Sequence, residues 1–181
     1  MNQGVTFADN KGPVSIRNES KKSRSSILGK LIEIIASANP APVNLSRNPT
    51  EIEKKIEFNN LSTHRWLIED YIENAVLVDS SITELNKLIN SGSTKLKRQM
   101  KMFYRKALTD CSINSCDIDL SLFKSMSDNI VASVISQTCE FVRSSSDLQD
   151  GYYDEDIEFG VALITSYSII ECIVLENPND Y

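Results

Sequence analysis

The sequence predicts a mainly α-helical protein: a bundle of about four to six helices, preceded by a short segment that is either a β-hairpin or disordered. Apolar residues recur at helical spacing through most of the chain. Glycine and proline, which interrupt helices, number only 6 and 5 among 181 residues. The hydrophobic fraction of 41% is sufficient for one core. We therefore divide the chain into an N-terminal segment, 1–24, and a helical domain, 25–181.

The N-terminal segment carries the pattern of a short hairpin. Val5 and Phe7 alternate with polar residues, as do Val14 and Ile16, and the turn-forming stretch "ADNKGP" separates the two pairs. Disorder is the alternative. A lone two-stranded hairpin is marginal in water, so a folded one needs a surface on which to dock, such as the helical domain, a second copy or another protein.

Two helices are expected in the next part of the chain. In residues 25–38 apolar side chains form one stripe, Ser25 or Ser26 is placed to cap the start, and "NPAP" ends the helix. Residues 51–58, "EIEKKIEF", alternate only partly and fit either a helix or a strand.

The stretch "KIEFNNLSTHRWLIEDYIEN" holds the only histidine and the only tryptophan of the protein. Asn59 or Asn60 is a good N-cap for a long or once-broken helix that ends near Gly92. A catalytic His64 needs a nucleophile and an orienting acid, and no nucleophile motif occurs. We therefore predict a surface or capping histidine, and a core position for Trp66.

Residues 93–108 form the most basic predicted helix. Its apolar stripe is narrow, and its six cations have no acid among them: Lys95, Lys97, Arg98, Lys101, Arg105 and Lys106. One interpretation is a solvated face neutralised by acids of neighbouring helices. The other is contact with an acidic partner or with nucleic-acid phosphates. The net charge of −6 disfavours a protein that wraps nucleic acid all round.

Two further helices are predicted, 119–145 and about 155–175, and the second is apolar nearly all round, as expected of the central helix. Acids in 147–158 suit the start of that helix, and they lack the pattern of a calcium loop. Cys111 and Cys116 do not make a zinc site without a second pair, so we expect four reduced, buried or half-buried thiols. No motif indicates a cofactor, a metal or catalysis, and every conspicuous apolar residue is expected to serve packing.

Four stretches, with the lead-in "SILGKLIEIIASANP", resemble the helical C-terminal domain found in proteins of bacterial ABC three-component systems. They are "EIEKKIEFNNLSTHRWLIEDYIEN", "INSGSTKLKRQMKMFYRKAL", "SMSDNIVASVISQTCEFVRSSSD" and "EDIEFGVALITSYSIIECIVLENPNDY". This resemblance implies an SMC-like or Rad50-like ATPase and a middle component as companions, and a role in defence against phages and plasmids. It also implies an effector module before the helical domain, for which the 25 or so preceding residues are too short.

The expectation is thus a non-enzymatic interaction subunit whose candidate partners are the ATPase, a companion subunit and a second copy of itself. Its docking surfaces would be the basic helix and the N-terminal segment with Val5, Phe7, Val14 and Ile16. The alternative is a small nucleic-acid-binding protein that uses the same basic helix. An enzyme with a composite site formed by oligomerisation is a third hypothesis. The start of the chain has no signal-peptide pattern, and no apolar run reaches about 18 residues, so we expect a cytoplasmic protein that does not enter a membrane.

Overall fold

The computed structural model describes residues 24–38, 49–148 and 151–181, and helices dominate these ranges. They contain six α-helices and a short 3-10 helix, and no strand is present in them. The elements are α1 Ile27–Ser37, α2 Pro49–Asn59, α3 Trp66–Leu88, α4 Gly92–Asp110, α5 Leu120–Arg143, α6 Asp154–Ile170 and the 3-10 turn Pro178–Asp180. The mainly α prediction is confirmed. The predicted hairpin, with Val5, Phe7, Val14 and Ile16, lies outside the described residues.

Helix α6 is the centre of the bundle, as its composition predicts. Its residues from Gly160 to Ile169 are all buried, and it packs against α1, α3 and α5. The approach to α1 is close at Gly160, where a Cβ would lie 2.7 Å from Cγ1 of Ile32. A glycine is therefore required here by the packing of two helices rather than by a turn.

The two asparagines at the end of α2 do not cap the following helix, and that prediction was wrong. Residues 51–58 are helical, and Asn59 is the last residue of α2. Asn60 follows in the left-handed conformation (φ 54°), which ends the helix. The buried Asn59 side chain bonds to distant backbone, donating to the carbonyl of Glu176 and accepting from its N–H. The C-terminal segment, residues 171–181, is thereby attached to α2.

The start of α3 and the turn before α4 also differ from the predictions. Trp66 is the first residue of α3 and is 45% exposed, because the helix register turns Leu67 and Ile68 into the core instead. Gly92 does not end α3 but begins α4, and Ser91 takes the left-handed conformation (φ 57°). A Cβ on Gly92 would lie 3.0 Å from Leu85 of α3, so this glycine serves close packing.

The last helix is shorter than predicted and ends at Ile170 rather than near Leu175. Cys172 and Leu175 adopt positive φ, which reverses the chain so that Val174 and Leu175 return to the core. This reversal leaves Cys172 exposed. Cys116 is also exposed, so the expectation of buried or half-buried thiols was correct only for Cys111 and Cys139. Within 24–38, 49–148 and 151–181, no helix is long and apolar enough to cross a membrane.

Candidate interaction surface

Helix α4 separates an apolar side from a strongly basic side. Leu96, Met100, Phe103 and Ala107 are buried against the bundle, as their spacing predicts. We call the six cations on the remaining surface the basic face: Lys95, Lys97, Arg98, Lys101, Arg105 and Lys106. All of these except the half-buried Lys97 are exposed.

Acids neutralise the basic face at only one position among the described residues. Lys97 Nζ lies 2.9 Å from Glu171 Oε2, and no other member of the basic face has an ion pair within this part of the chain. Lys101 and Arg105 border a polar cleft of about 370 Å³ that Glu176 and Asp180 also line. Neutralisation by neighbours therefore accounts for Lys97, and it does not account for the five exposed cations.

Glu176 is engaged with tyrosines rather than with these cations. Tyr104 donates to its Oε1 at 2.7 Å, and Tyr181 lies 3.2 Å from its Oε2. Burial raises the pKa of Tyr104 far above its usual range, and the carboxylate of Glu176 raises it further, so the hydroxyl remains a donor. The C-terminal segment is thus held beside the basic face by a neutral donor, Tyr104, as well as by the ion pair of Lys97 with Glu171.

Exposed apolar side chains accompany the basic face, contrary to the expectation that all large apolar residues serve packing. Met102 is 61% exposed and Phe141 of α5 is 37% exposed. The Phe141 ring meets Phe103 edge-on, with centroids 5.6 Å apart. These side chains line a groove of about 500 Å³, the α4–α5 groove, which is completed by Lys106, Gln137, Glu140 and Ser144.

Lys106 was predicted as a contact residue, whereas Met102 and Phe141 were not singled out from the sequence, although one signal was available for Met102. Met102 falls off the apolar stripe of α4 and stands among cations, at positions i+4 from Arg98 and i−4 from Lys106. An apolar side chain in such a place has no partner within its own helix. Phe141 gave no comparable signal, because its exposure depends on how α5 meets α4.

His64 belongs to a second polar cluster, which ties the turn before α3 to α5. Asp128 accepts hydrogen bonds from the backbone N–H groups of Ser62, Thr63 and His64 and from the Ser62 hydroxyl. His64 Nδ1 lies 3.0 Å from Asp128 Oδ1. A carboxylate only accepts, so Nδ1 carries the proton.

The hydrogen bonds among Ser62, His64 and Asp128 are not those of a catalytic triad. In a triad the serine hydroxyl bonds to the histidine, which in turn bonds to the acid. Here Ser62 donates to Asp128 at 2.7 Å, and both carboxylate oxygens serve the turn. Partial burial opposes the charged carboxylate, but these hydrogen bonds outweigh it and hold the Asp128 pKa well below its usual range. The arrangement fixes a turn.

The other ionisable groups of the described residues do not form a metal site, and those with distinctive surroundings lie apart. Lys55 is buried below the C-terminal segment, and burial lowers its pKa, although Cys172 and Glu176 oppose the shift. Asp154, Glu155 and Asp156 occupy the first turn of α6, where the helix dipole favours them, as predicted. Over the ranges that the structure describes, no three His, Cys, Asp or Glu side chains are arranged to hold a metal ion.

A comparison with known protein families identifies the family of this chain. A family model described as C-terminal domain 10 of the ABC-three component (ABC-3C) systems matches residues 26–117, which is just over half of the chain. The match runs from α1 to beyond the end of α4 and so includes the whole basic face. No curated protein and no solved structure matches the chain. This chain therefore belongs to the family of C-terminal domain 10 of the ABC-three component systems.

Proposed function

We propose that this chain is a non-enzymatic interaction subunit of an ABC-three component system, and that it docks to a companion subunit through the basic face of α4. The companion is an SMC-like or Rad50-like ATPase or the middle component, and the assembly acts in the cytoplasm in defence against phages and plasmids. Membership in a multi-component family supports the existence of companions. The observation that carries the proposal is the row of five exposed cations that form no ion pair with any acid of the described residues.

An interaction role is favoured because the polar clusters are already engaged. Asp128 is occupied by the 62–64 turn, Glu176 by two tyrosines, and Asn59 by backbone groups. The basic face is different, since its exposed guanidinium and ammonium groups have donors directed to solvent. An acidic protein surface would supply both the charge and the acceptors that these groups lack.

Charge reversal on the basic face should therefore weaken binding of the companion. We expect Arg98→Glu with Arg105→Glu to weaken it by about 100-fold, at roughly tenfold for each reversed charge at an interface. The measurement is co-purification of the tagged chain with the ATPase and middle component encoded beside it, followed by a dissociation constant for whichever of them binds. Circular dichroism melting establishes that the variant is folded.

Lys54→Glu with Lys87→Glu is the matched control. It makes the same change in net charge at exposed positions of α2 and α3, and it should bind as the wild type does. Equal recovery of the companion by both double variants would contradict the proposal. So would an equal loss in both, because the effect would then follow net charge rather than the basic face.

Nucleic-acid binding through the same cations is the second candidate function. The exposure of Lys95, Arg98, Lys101, Arg105 and Lys106 on one helix favours it. Such binding would weaken steeply with salt, in proportion to the number of phosphates contacted. Anisotropy of labelled duplex DNA between low and physiological salt distinguishes the candidates, and absence of binding at low salt eliminates this one.

A further inference from the structure

We infer that the segment recognised by this surface is an amphipathic helix of the companion subunit with one acidic flank, whose apolar side chains enter the α4–α5 groove. The inference rests on the proposed function and deepens it, since it names the kind of segment that the basic face receives. It commits to a protein helix rather than to nucleic acid.

The apolar content of the surface points to a protein partner. Met102 stands between Arg98 and Lys106 and is 61% exposed, and the half-exposed Phe141 forms the opposite wall. Methionine adapts its shape to varied partners, and aromatic side chains supply large contact area. Phosphates would satisfy the cations and leave this apolar lining in water. An amphipathic helix covers both.

The size of the groove fits side-chain anchors of a helix. Its volume of about 500 Å³ lies between α4 and α5, with Phe103 forming the floor against Phe141. Pockets of about 300–1,000 Å³ are the usual size for small bound groups. A docked amphipathic helix presents anchors at i, i+3 or i+4, and i+7, which lie along one line as a groove requires.

The two rims of the groove differ in charge and so define the polarity of the occupant. The α4 rim is cationic at Lys106, and Arg98 lies one helical turn before Met102 on the same side of α4. The α5 rim carries Glu140 and Gln137 instead. The complementary helix therefore has glutamates or aspartates on the flank that faces α4. On the flank that faces α5 it has lysine, arginine or neutral residues.

Synthetic peptides provide a defined probe. The first has an apolar stripe at i, i+4 and i+7, glutamates on one flank and lysines on the other. The second has the same composition in scrambled order, and the third keeps the stripe with lysines on both flanks. Fluorescence anisotropy should give binding of the first at least about tenfold tighter than of the other two, which corresponds to about 1.4 kcal/mol.

Variants of the full chain test whether the first peptide binds in the α4–α5 groove. Met102→Ser with Phe141→Ser should abolish binding of the first peptide. The control, Leu122→Ser with Phe159→Ser, removes two comparably exposed apolar side chains that do not line the groove, and it should bind normally. Met102→Gln is a milder variant that should remain folded, because this side chain is exposed. It should weaken binding of the first peptide by several-fold.

The outcomes separate this inference from the proposed function. Loss of companion binding in Arg98→Glu/Arg105→Glu, with full binding in Met102→Ser/Phe141→Ser, would overturn the inference and leave the proposed function standing. Normal binding of the companion by both double variants would contradict the inference and the proposed function alike. Equal binding of all three peptides, or binding of duplex DNA but of no peptide, would also overturn the inference.

Discussion

Replacement of Asp128 by alanine is expected to lower the free energy of unfolding by about 2–3 kcal/mol, because several donors of one turn lose a charged acceptor. The donors are the N–H groups of Thr63 (3.1 Å) and His64 (2.9 Å), the hydroxyl of Ser62 (2.7 Å) and the His64 ring. Water can replace Asp128 as the acceptor where the turn is exposed, and this limits the loss of unfolding free energy. For a chain of this size the melting temperature should fall by about 5–10 °C.

The contribution of Asp128 should depend on pH in a defined direction. Its pKa is lowered in the folded protein, so the unfolded state takes up a proton first as the solution is acidified. The difference in unfolding free energy between wild type and Asp128→Ala should be constant above about pH 5 and should shrink as pH falls below the unfolded value of about 3.9. Urea unfolding at a series of pH values measures this difference.

Asp110→Ala is the control for this experiment. Asp110 is exposed at the end of α4, and its removal should change stability by less than about 0.5 kcal/mol at any pH. An Asp128→Ala protein as stable as the wild type at pH 7 would show that the turn does not depend on the carboxylate. A difference that grows on acidification would contradict the lowered pKa.

Asn59→Ala should have an effect of similar or larger size, about 2–4 kcal/mol of lost stability. The Asn59 side chain is fully buried and makes three hydrogen bonds, donating to the carbonyls of Lys55 and Glu176 and accepting from the Glu176 N–H. Alanine leaves the backbone groups of Glu176 without partners where water has little access. The measurement is urea unfolding, together with amide hydrogen exchange in residues 173–181, which should become faster.

Asn60→Gly provides a matched comparison at the adjacent position. Asn60 has φ of 54°, a conformation that glycine adopts without cost, and its side chain makes one long, exposed hydrogen bond to Lys124. Its replacement should leave stability within about 0.5 kcal/mol of the wild type. If Asn60→Gly destabilised the protein more than Asn59→Ala, the attachment of the C-terminal segment would have been assigned to the wrong residue.

The helices were predictable from the sequence because their apolar spacing is regular. Residues 25–38, 93–108 and 119–145 correspond to α1, α4 and α5 within a few residues. The boundaries that failed depend on tertiary contacts. Asn59 has the chemistry of an N-cap, but two of its three hydrogen bonds are to the backbone of Glu176, 117 residues away. Gly92 has the chemistry of a helix stop, but the need for it comes from Leu85 of the preceding helix.

The charged half of the candidate surface was predictable and the apolar half was not. A run of lysines and arginines without acids can be read directly from the sequence. Among the described residues, the acid that forms an ion pair with it, Glu171, belongs to a later segment. Exposure of Phe141 and Trp66 depends on helix register and on the position where a helix begins. Composition predicts that large apolar residues are buried, and it does not identify the few that are left for a partner.

The most direct test of the account is the rate of lysine acetylation in the wild-type chain, alone and in complex with its companion subunit, measured residue by residue by mass spectrometry. We predict that Lys95, Lys101 and Lys106 become slow to react in the complex, while Lys54 and Lys87 keep the rates of the free chain. Unchanged rates at the three lysines of α4, with protection at Lys54 or Lys87, would contradict docking through the basic face.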